Sequence, residues 1–206
     1  MKIQIVGDGA FGSFLKELLS PFFELSNDAD SVILAVPLSA YDEVASKHKG
    51  KHLINVCSVQ KPSTDICLKH SDRVTSLHPL FGRRTPTDKR HTIWTYSYTA
   101  DNDTWLSQDQ YNNIEVEFHN LFMEVSQMHL SMNGKIFTPE SHDILMAKTH
   151  VAAVMGAQQL KVFVERVKDI PDELIPNSFR LMRDFVKTLE DMPPGTVDSI
   201  MGNPYI

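Results

Sequence analysis

The chain has almost nothing with which to cross-link or anchor itself. Its 206 residues include two cysteines, Cys57 and Cys67. It opens on "MKIQIVGDGA", which lacks the long apolar core of a signal peptide and reads as a first strand, so reduced thiols in a cytoplasmic protein are expected. No apolar run approaches the roughly 20 residues of a membrane span, and no membrane association is expected. Basic residues number 20 against 26 acidic ones, for a net charge of −6. They form no block of the kind that recruits phosphate backbones, which argues against a nucleic-acid partner. Internal repeats and low-complexity segments are missing. The nine histidines include no His-x-x-x-His pair backed by a carboxylate or cysteine at ligand spacing, so no metal is expected. Cys57 is read as a small buried hydrophobe in preference to a thiol nucleophile.

What the chain does have is material for a core, 42% hydrophobic residues, arranged in two styles. The first half alternates short apolar runs with helical patterns: "KIQIVG", "FGSFLKELL", "SVILAVP", "AYDEVASKH", "HLINVCS", "STDICLKH", "RVTSLHP". That order predicts an α/β domain, a parallel sheet whose strands are continuously apolar because both faces are covered. After "HTIWTYSYTA" come a polar loop, a helix ending near "HNLFMEV" and a weaker strand around "SQMHL". Beyond about residue 135 everything reads as helix. Thr138 is an N-cap candidate followed by proline at the first helical position, and "TPESHDILMAKTHVAAVMGAQQLKVFVERV" predicts one long helix. "DELIPNSFRLMRDFVKTLEDM" predicts a second, stopped by Pro193, Pro194 and Gly195. The expected architecture is therefore a reduced Rossmann-type parallel-sheet domain over residues 1–135 and a small all-helical domain over 136–206.

"IVGDGAFGSFL" matches Gly-x-Gly-x-x-Gly at Gly7, Gly9 and Gly12, after a predicted strand and opening a predicted helix. In that setting the glycines permit a tight turn and close backbone approach, so that a pyrophosphate can sit on the helix N-terminus. Ala10 and Phe11 within the turn, and Val36 and Pro37 at the end of the next apolar run, complete the cofactor-facing set. Asp8 is an awkward neighbour for phosphate and needs its side chain turned away. An acidic residue about 20 positions on should hold the adenosine ribose, and Glu24 is the best candidate, with Asp28 and Asp30 behind it. No nearby arginine or lysine stands ready for a 2′-phosphate, which favours NAD and leaves NADP open. Only "SNDAD" separates "FFEL" from "SVILAVP", whereas a parallel crossover normally takes a dozen residues or more. One helix-strand unit is missing from the expected pattern, and a shortened adenine side with weak cofactor affinity is the expectation.

"SLHPLFGRR" ends a strand-like run on His78, and Pro79 biases it towards extended geometry. That is a stiff mount for an imidazole. Arg83 and Arg84 follow and either attract an anionic substrate or form a solvated pair.

Taken in order, the glycine turn, "VILAVPLSAYDEV", "INVCSVQKP", "SLHPLFG", "TPESHD" and "IPNSFRLM" resemble the prephenate and arogenate dehydrogenase family over nearly the whole chain. "CSVQK" is similar to that family's Ser-Val-Lys strand end and "HPLFG" to its His-Pro-Met-Phe-Gly. The resemblance implies NAD(P)-dependent oxidative decarboxylation of prephenate, or of arogenate, on the route to tyrosine. It implies that His78 accepts the proton of the ring hydroxyl, which suits a neutral imidazole. It also implies that Ser58 bonds the same hydroxyl and that Arg180 grips the substrate carboxylate, with a solvated helix arginine as the plain alternative. Departures are visible. Gln60 stands where the family has lysine, although Lys61 follows. Val154 stands where the family usually places a substrate-facing histidine, and His150, four residues earlier on the same helical face, is the candidate substitute. His142 and Asp143 match a His-Asp pair and are expected to fix the helix entrance. The chain ends at "MGNPYI" where family members continue with more helix, so a homodimer is expected to bury the apolar helix faces. Two rivals stay open: another dehydrogenase of small carboxylated substrates on this fold, and a catalytically silent ligand-binding homologue.

Overall fold

The computed structural model describes residues 2–90, 92–95, 137–192 and 195–206, without the side chains of Asp88 and Trp94. The strand continuing through "YSYTA", the helix near "HNLFMEV" and the strand at "SQMHL" lie outside the described residues. The chain divides into two units, 1–143 and 144–206.

The first unit is built on one sheet. Strands β1 (Lys2–Val6), β3 (Ser31–Leu34), β4 (His52–Asn55) and β5 (Val74–Pro79) run parallel, the stub β2 (Glu24–Leu25) flanks β1, and β6 (Thr92–Thr95) closes the far edge antiparallel. The order is β2-β1-β3-β4-β5-β6. Every residue of β3 and β4 is buried, as expected for strands covered on both faces. Side chains alternate between two cores. Ile3, Ile5, Ile33, Ile54 and Leu77 pack with Phe14, Leu15 and Leu19 of helix α1 (Ala10–Leu19). Val32, Leu34 and Leu53 pack with Tyr41 and Ala45 of α2 (Tyr41–Ser46) and Cys67 of α3 (Gln60–His70). At the end of β4, buried Asn55 accepts from Tyr41 Oη (2.9 Å) and from the Cys57 N–H (2.9 Å) and donates to Ser63 (2.8 Å). This polar node fixes the turn that follows β4.

The missing unit has a simple geometry. β2 pairs with β1 at Lys2↔Glu24 and Ile3↔Leu25, and β3 starts opposite the same Ile3. Because β2 ends level with the start of β3, residues 26–30 need only cross beneath β1, about 10 Å between strand axes, and not run back along the sheet. Two residues of strand thus replace a full strand and its crossover helix.

The boundary falls later than the sequence predicts. Phe137 bridges Thr95 of β6, and the start of α4 (Pro139–Met146) bonds into the sheet's edge through His142 and Asp143, which keeps both in the first unit. Thr138 caps that helix as expected, its Oγ1 accepting the Ser141 N–H at 3.1 Å. The single long helix is interrupted by a π turn over Ala147–Val151 before α5 (Ala152–Arg166).

The second unit contains α5, α6 (Asn177–Glu190) and α7 (Thr196–Met201). A short 3₁₀ turn at Asp172–Leu174 precedes α6, whose start is set by Pro176: the residue before it, Ile175, is extended. Its core is small, with Val151, Val154 and Ile200 at the centre and Leu189, Met192, Val197 and Met201 around them. Val162, Phe163, Leu174 and Leu181 are each more than half exposed. Among the described residues no helix is long and apolar enough to cross a membrane.

Candidate active site

Four parallel strands place four different turns on one edge of the sheet: the glycine turn after β1, Val36 and Pro37 after β3, Ser58 after β4, and His78 near the end of β5. Ligands of open α/β sheets bind at this carboxyl edge.

His78 is 3% exposed, and its position is defined from two sides. Along the backbone it pairs with Ile93 of β6. Through its side chain, Nδ1 lies 3.0 Å from Nε2 of His142, with the rings edge to face. His142 Nδ1 in turn lies 2.8 Å from Oδ1 of Asp143. Both Asp143 oxygens are taken by the start of α3, Oδ1 accepting the Gln60 N–H and Oδ2 the Lys61 N–H, each at 2.7 Å. Val59, the N-cap residue of α3, has no side chain able to cap, so a carboxylate from 83 residues downstream does so, where the helix dipole favours negative charge. The expected role of the His-Asp pair is therefore corrected. Thr138 fixes the entrance of their own helix, while Asp143 caps a different one and His142 reaches His78.

Gln60 also departs from its expected neighbourhood. Its side chain is fully buried, Nε2 donating to the carbonyls of Cys57 (2.6 Å) and Leu77 (3.0 Å) while Oε1 accepts from Thr95 Oγ1 (2.6 Å). It thereby ties β5, one residue before His78, to the β4 turn and to β6. Lys61 does not take the lysine's place at the edge: its Nζ pairs with Asp65 one helical turn on, at 2.5 Å. Ser58 is half-buried in the turn after β4. Since Asn55 pairs with Ser76, Ser58 and His78 leave adjacent strands at the same edge. Burial pushes the Cys57 thiol up to about 11 and that of Cys67 to about 12, which removes the thiolate a nucleophile requires.

At the other end of the edge, the glycines divide by function. Gly7 has φ +127°, and a Cβ there would stand 2.1 Å from the Ala35 carbonyl oxygen; a Cβ on Gly12 would stand 2.2 Å from that of Gly7. Both are glycine because strand, turn and helix touch. Among the described residues, a Cβ on Gly9 meets nothing within 4 Å, and α1 begins there without a side-chain cap. An open, uncapped helix start beside a residue with no side chain is a cradle fitted to a pyrophosphate. Asp8 does turn aside, its carboxylate 2.6 Å from Lys16 Nζ.

The ribose side does not fit. Glu24 pairs with Lys2, five residues before Gly7, so it lies about 16 Å down the strand from the glycine turn. Its carboxylate sits 3.6 Å from Lys2 Nζ, Asp28 engages the same lysine at 3.4 Å, and Asp30 pairs with Arg73 at 2.8 Å. All three acids occupy the amino edge. Glu24 as a ribose ligand is thus overturned, because β2 stops before it climbs to the level of the turn.

Arg83 is held by Glu17 of α1 in a two-pronged pair, 2.7 Å on each prong, which ties the segment after β5 to α1. In the second unit, Arg180 is half-buried on α6; Nη2 donates to the Asp172 carbonyl at 2.5 Å, and its buried Nε has no hydrogen-bond partner among the described residues. His150 is half-buried inside the π turn. That turn carries an extra residue, so His150 and Val154 are not related as they would be in a regular α-helix. Val154 itself is core.

The fold is shared with dehydrogenases. Prephenate dehydrogenase from Aquifex aeolicus, in complex with hydroxyphenyl propionate and NAD+, is similar over 98% of this chain and 82% of its own, with TM-score 0.62 and 15% identity. Synechocystis arogenate dehydrogenase is similar over 98% and 84%, with TM-score 0.59 and 14% identity. Plasmodium falciparum pyrroline carboxylate reductase with NADP bound is similar over 99% and 80%, with TM-score 0.50 and 14% identity. No protein-family model matches the chain, and no curated protein matches it in sequence.

Proposed function

We propose that the protein is an NAD(P)-dependent dehydrogenase that oxidises and decarboxylates prephenate or arogenate, with His78 as the base. The observation that carries this reading is the arrangement at one sheet edge. A buried histidine, braced by His142 and Asp143, stands three strands from a glycine cradle, about 14 Å between strand axes. Gly7, Gly9 and Gly12, with the N–H groups of Ala10 and Phe11, would hold the pyrophosphate, and Val36 and Pro37 would flank it. The NAD+ of the Aquifex structure and the NADP of the Plasmodium one keep both cofactors open.

When bound, the nicotinamide supplies the hydride acceptor. His78 takes the proton of the ring hydroxyl as hydride leaves the carbon bearing it. The bond from the ring to its carboxylate then breaks, CO2 departs, and the electron pair left behind completes the aromatic ring. His78 returns its proton to the phenolate oxygen. Ser58 is assigned a hydrogen bond to the reacting hydroxyl. Arg180 is assigned the substrate carboxylate and His150 a supporting contact. A second copy of the chain is assigned to the exposed faces carrying Val162, Phe163 and Leu181, so sedimentation should report a dimer.

The test is absorbance at the NADH band with prephenate or arogenate, with His78→Asn as control. Turnover abolished by the substitution supports the base. The two-residue β2 favours one other reading, a silent homologue that binds a small carboxylate without nucleotide. Ligand binding without NADH binding, and no turnover, would select it.

A further inference from the structure

The three-residue chain behind His78 has a direction, and the direction decides which nitrogen of His78 can act as a base. We propose that Asp143 and His142 are positioning residues that hold His78 protonated at Nδ1, so that its lone pair lies on Nε2. The catalytic meaning of this rests on the dehydrogenase reading above; the proton assignment does not.

The argument starts from donors that have no choice. The N–H groups of Gln60 and Lys61 can only donate, so both oxygens of Asp143 are acceptors in those bonds, at 2.7 Å. A carboxylate that accepts at Oδ1 from one side does so from the other as well, hence His142 Nδ1, at 2.8 Å, is the donor. A neutral imidazole carries one proton. With it on Nδ1, Nε2 of His142 must accept, and the 3.0 Å contact to His78 Nδ1 then requires His78 to donate. The lone pair of His78 is left on Nε2. Each link is buried, His142 and Asp143 at 0% and His78 at 3% exposure.

The same chain gives the proton taken at Nε2 somewhere to be accommodated. His78 Nδ1–H already points at His142 Nε2. A short proton shift along the bond would move the positive charge one residue inward, next to the Asp143 carboxylate, without moving any heavy atom. Opposite order, with His142 doubly protonated at rest, would put the His78 proton on Nε2 and leave no base there.

The experiment uses the full chain labelled with 15N-histidine and long-range proton–nitrogen correlation, with His78→Asn and His142→Leu assigning the two rings. His78 in the unsubstituted protein should show a protonated Nδ1 and an unprotonated Nε2. His142→Leu removes the acceptor and should let both His78 tautomers appear, whereas His142→Gln, whose amide oxygen can accept from Nδ1, should keep one. In the prephenate assay His142→Leu should lower kcat about 100-fold with KM within threefold, and His142→Gln should stay within tenfold. Turnover by a protein whose His78 is protonated at Nε2, or a tautomer unmoved by His142→Leu, overturns this inference and leaves the function standing. The expected tautomer in a protein with no turnover sinks the function and supports the inference. Where His142→Leu fails to fold, His78→Asn still identifies the His78 ring, and the spectrum of the unsubstituted protein then decides the proton assignment.

Discussion

Replacing the three turn glycines one at a time with alanine should separate the fold from the cofactor site. At Gly12 the new methyl stands 2.2 Å from the Gly7 carbonyl oxygen, and real contacts of this type do not close below 3.0 Å. Helix α1 must therefore retreat from the turn by at least 0.8 Å, the difference of the two. The obstacle is backbone, so no side chain can swing aside, and the cost belongs at the upper end of the overpacking range, about 3 kcal/mol. Alanine recovers about 1 kcal/mol through helix propensity. The net loss of about 2 kcal/mol is a factor of about 30 in the folding equilibrium, visible as a lowered urea midpoint. Gly7→Ala should be worse, because the 2.1 Å clash with Ala35 is joined by a left-handed φ of +127°. Gly9→Ala meets nothing within 4 Å among the described residues, in an ordinary extended conformation, so only the weaker N-cap preference of alanine should count against it, about 1 kcal/mol at most. Yet its methyl fills the face offered to a pyrophosphate, and NADH affinity followed by nucleotide fluorescence should fall at least tenfold. A Gly12→Ala protein as stable as the parent would refute the packing argument, and undiminished NADH binding by Gly9→Ala would refute the cradle.

Glu24→Gln should leave NADH binding unchanged within twofold in the same titration, since this carboxylate lies at the amino edge beside Lys2; a tenfold loss would restore it as a ribose ligand. Arg180→Met should raise KM for the carboxylated substrate tenfold or more with kcat nearly constant, and an unchanged KM would return Arg180 to an ordinary helix arginine. His52 gives a pH signature that belongs to the fold and not to the site. Burial, with Arg73 beside it, lowers its pKa from 6.5 to about 4, so the unfolded chain takes up a proton that the folded one refuses. Stability is retained above pH 6.5 and lost as pH falls towards 4, by at most about 3 kcal/mol. His52→Gln should flatten that part of the urea stability profile, and an unaltered slope would show that the loss comes from other groups.

The sheet was legible because β3 and β4 are buried on both faces and therefore apolar at every position that strands of this kind require. The same logic exposed the shortened adenine side, since five residues cannot hold a crossover helix. It could not give the height at which β2 pairs, because two residues carry no register signal, and Glu24 was placed at the wrong edge for that reason. Thr138 announced a helix start by local chemistry alone. Nothing local announced that Asp143 caps α3: the bond spans 83 residues, and the only trace was negative, a helix opening at Val59 and Gln60 with no capping side chain of its own. An uncapped start in an otherwise well-formed βα unit is a signal that a distant acceptor is required.

That distant cap couples two features otherwise unrelated in sequence. The carboxylate that completes α3 is the one that orients His142, and Gln60, whose N–H it accepts, also holds the Leu77 carbonyl one residue before His78. His78 is thus braced through its ring by one path and through its backbone by another, both meeting at the first residue of α3. Lysine at position 60 has no acceptor to offer Thr95 Oγ1, which would fall back on its longer 3.2 Å bond to the Ser76 carbonyl, and Gln60→Lys would bury a charge among the carbonyls of Cys57 and Leu77. Restoring the residue found in the resembling family should therefore destabilise this chain, and an equally stable Gln60→Lys protein would show that the brace at this position is dispensable.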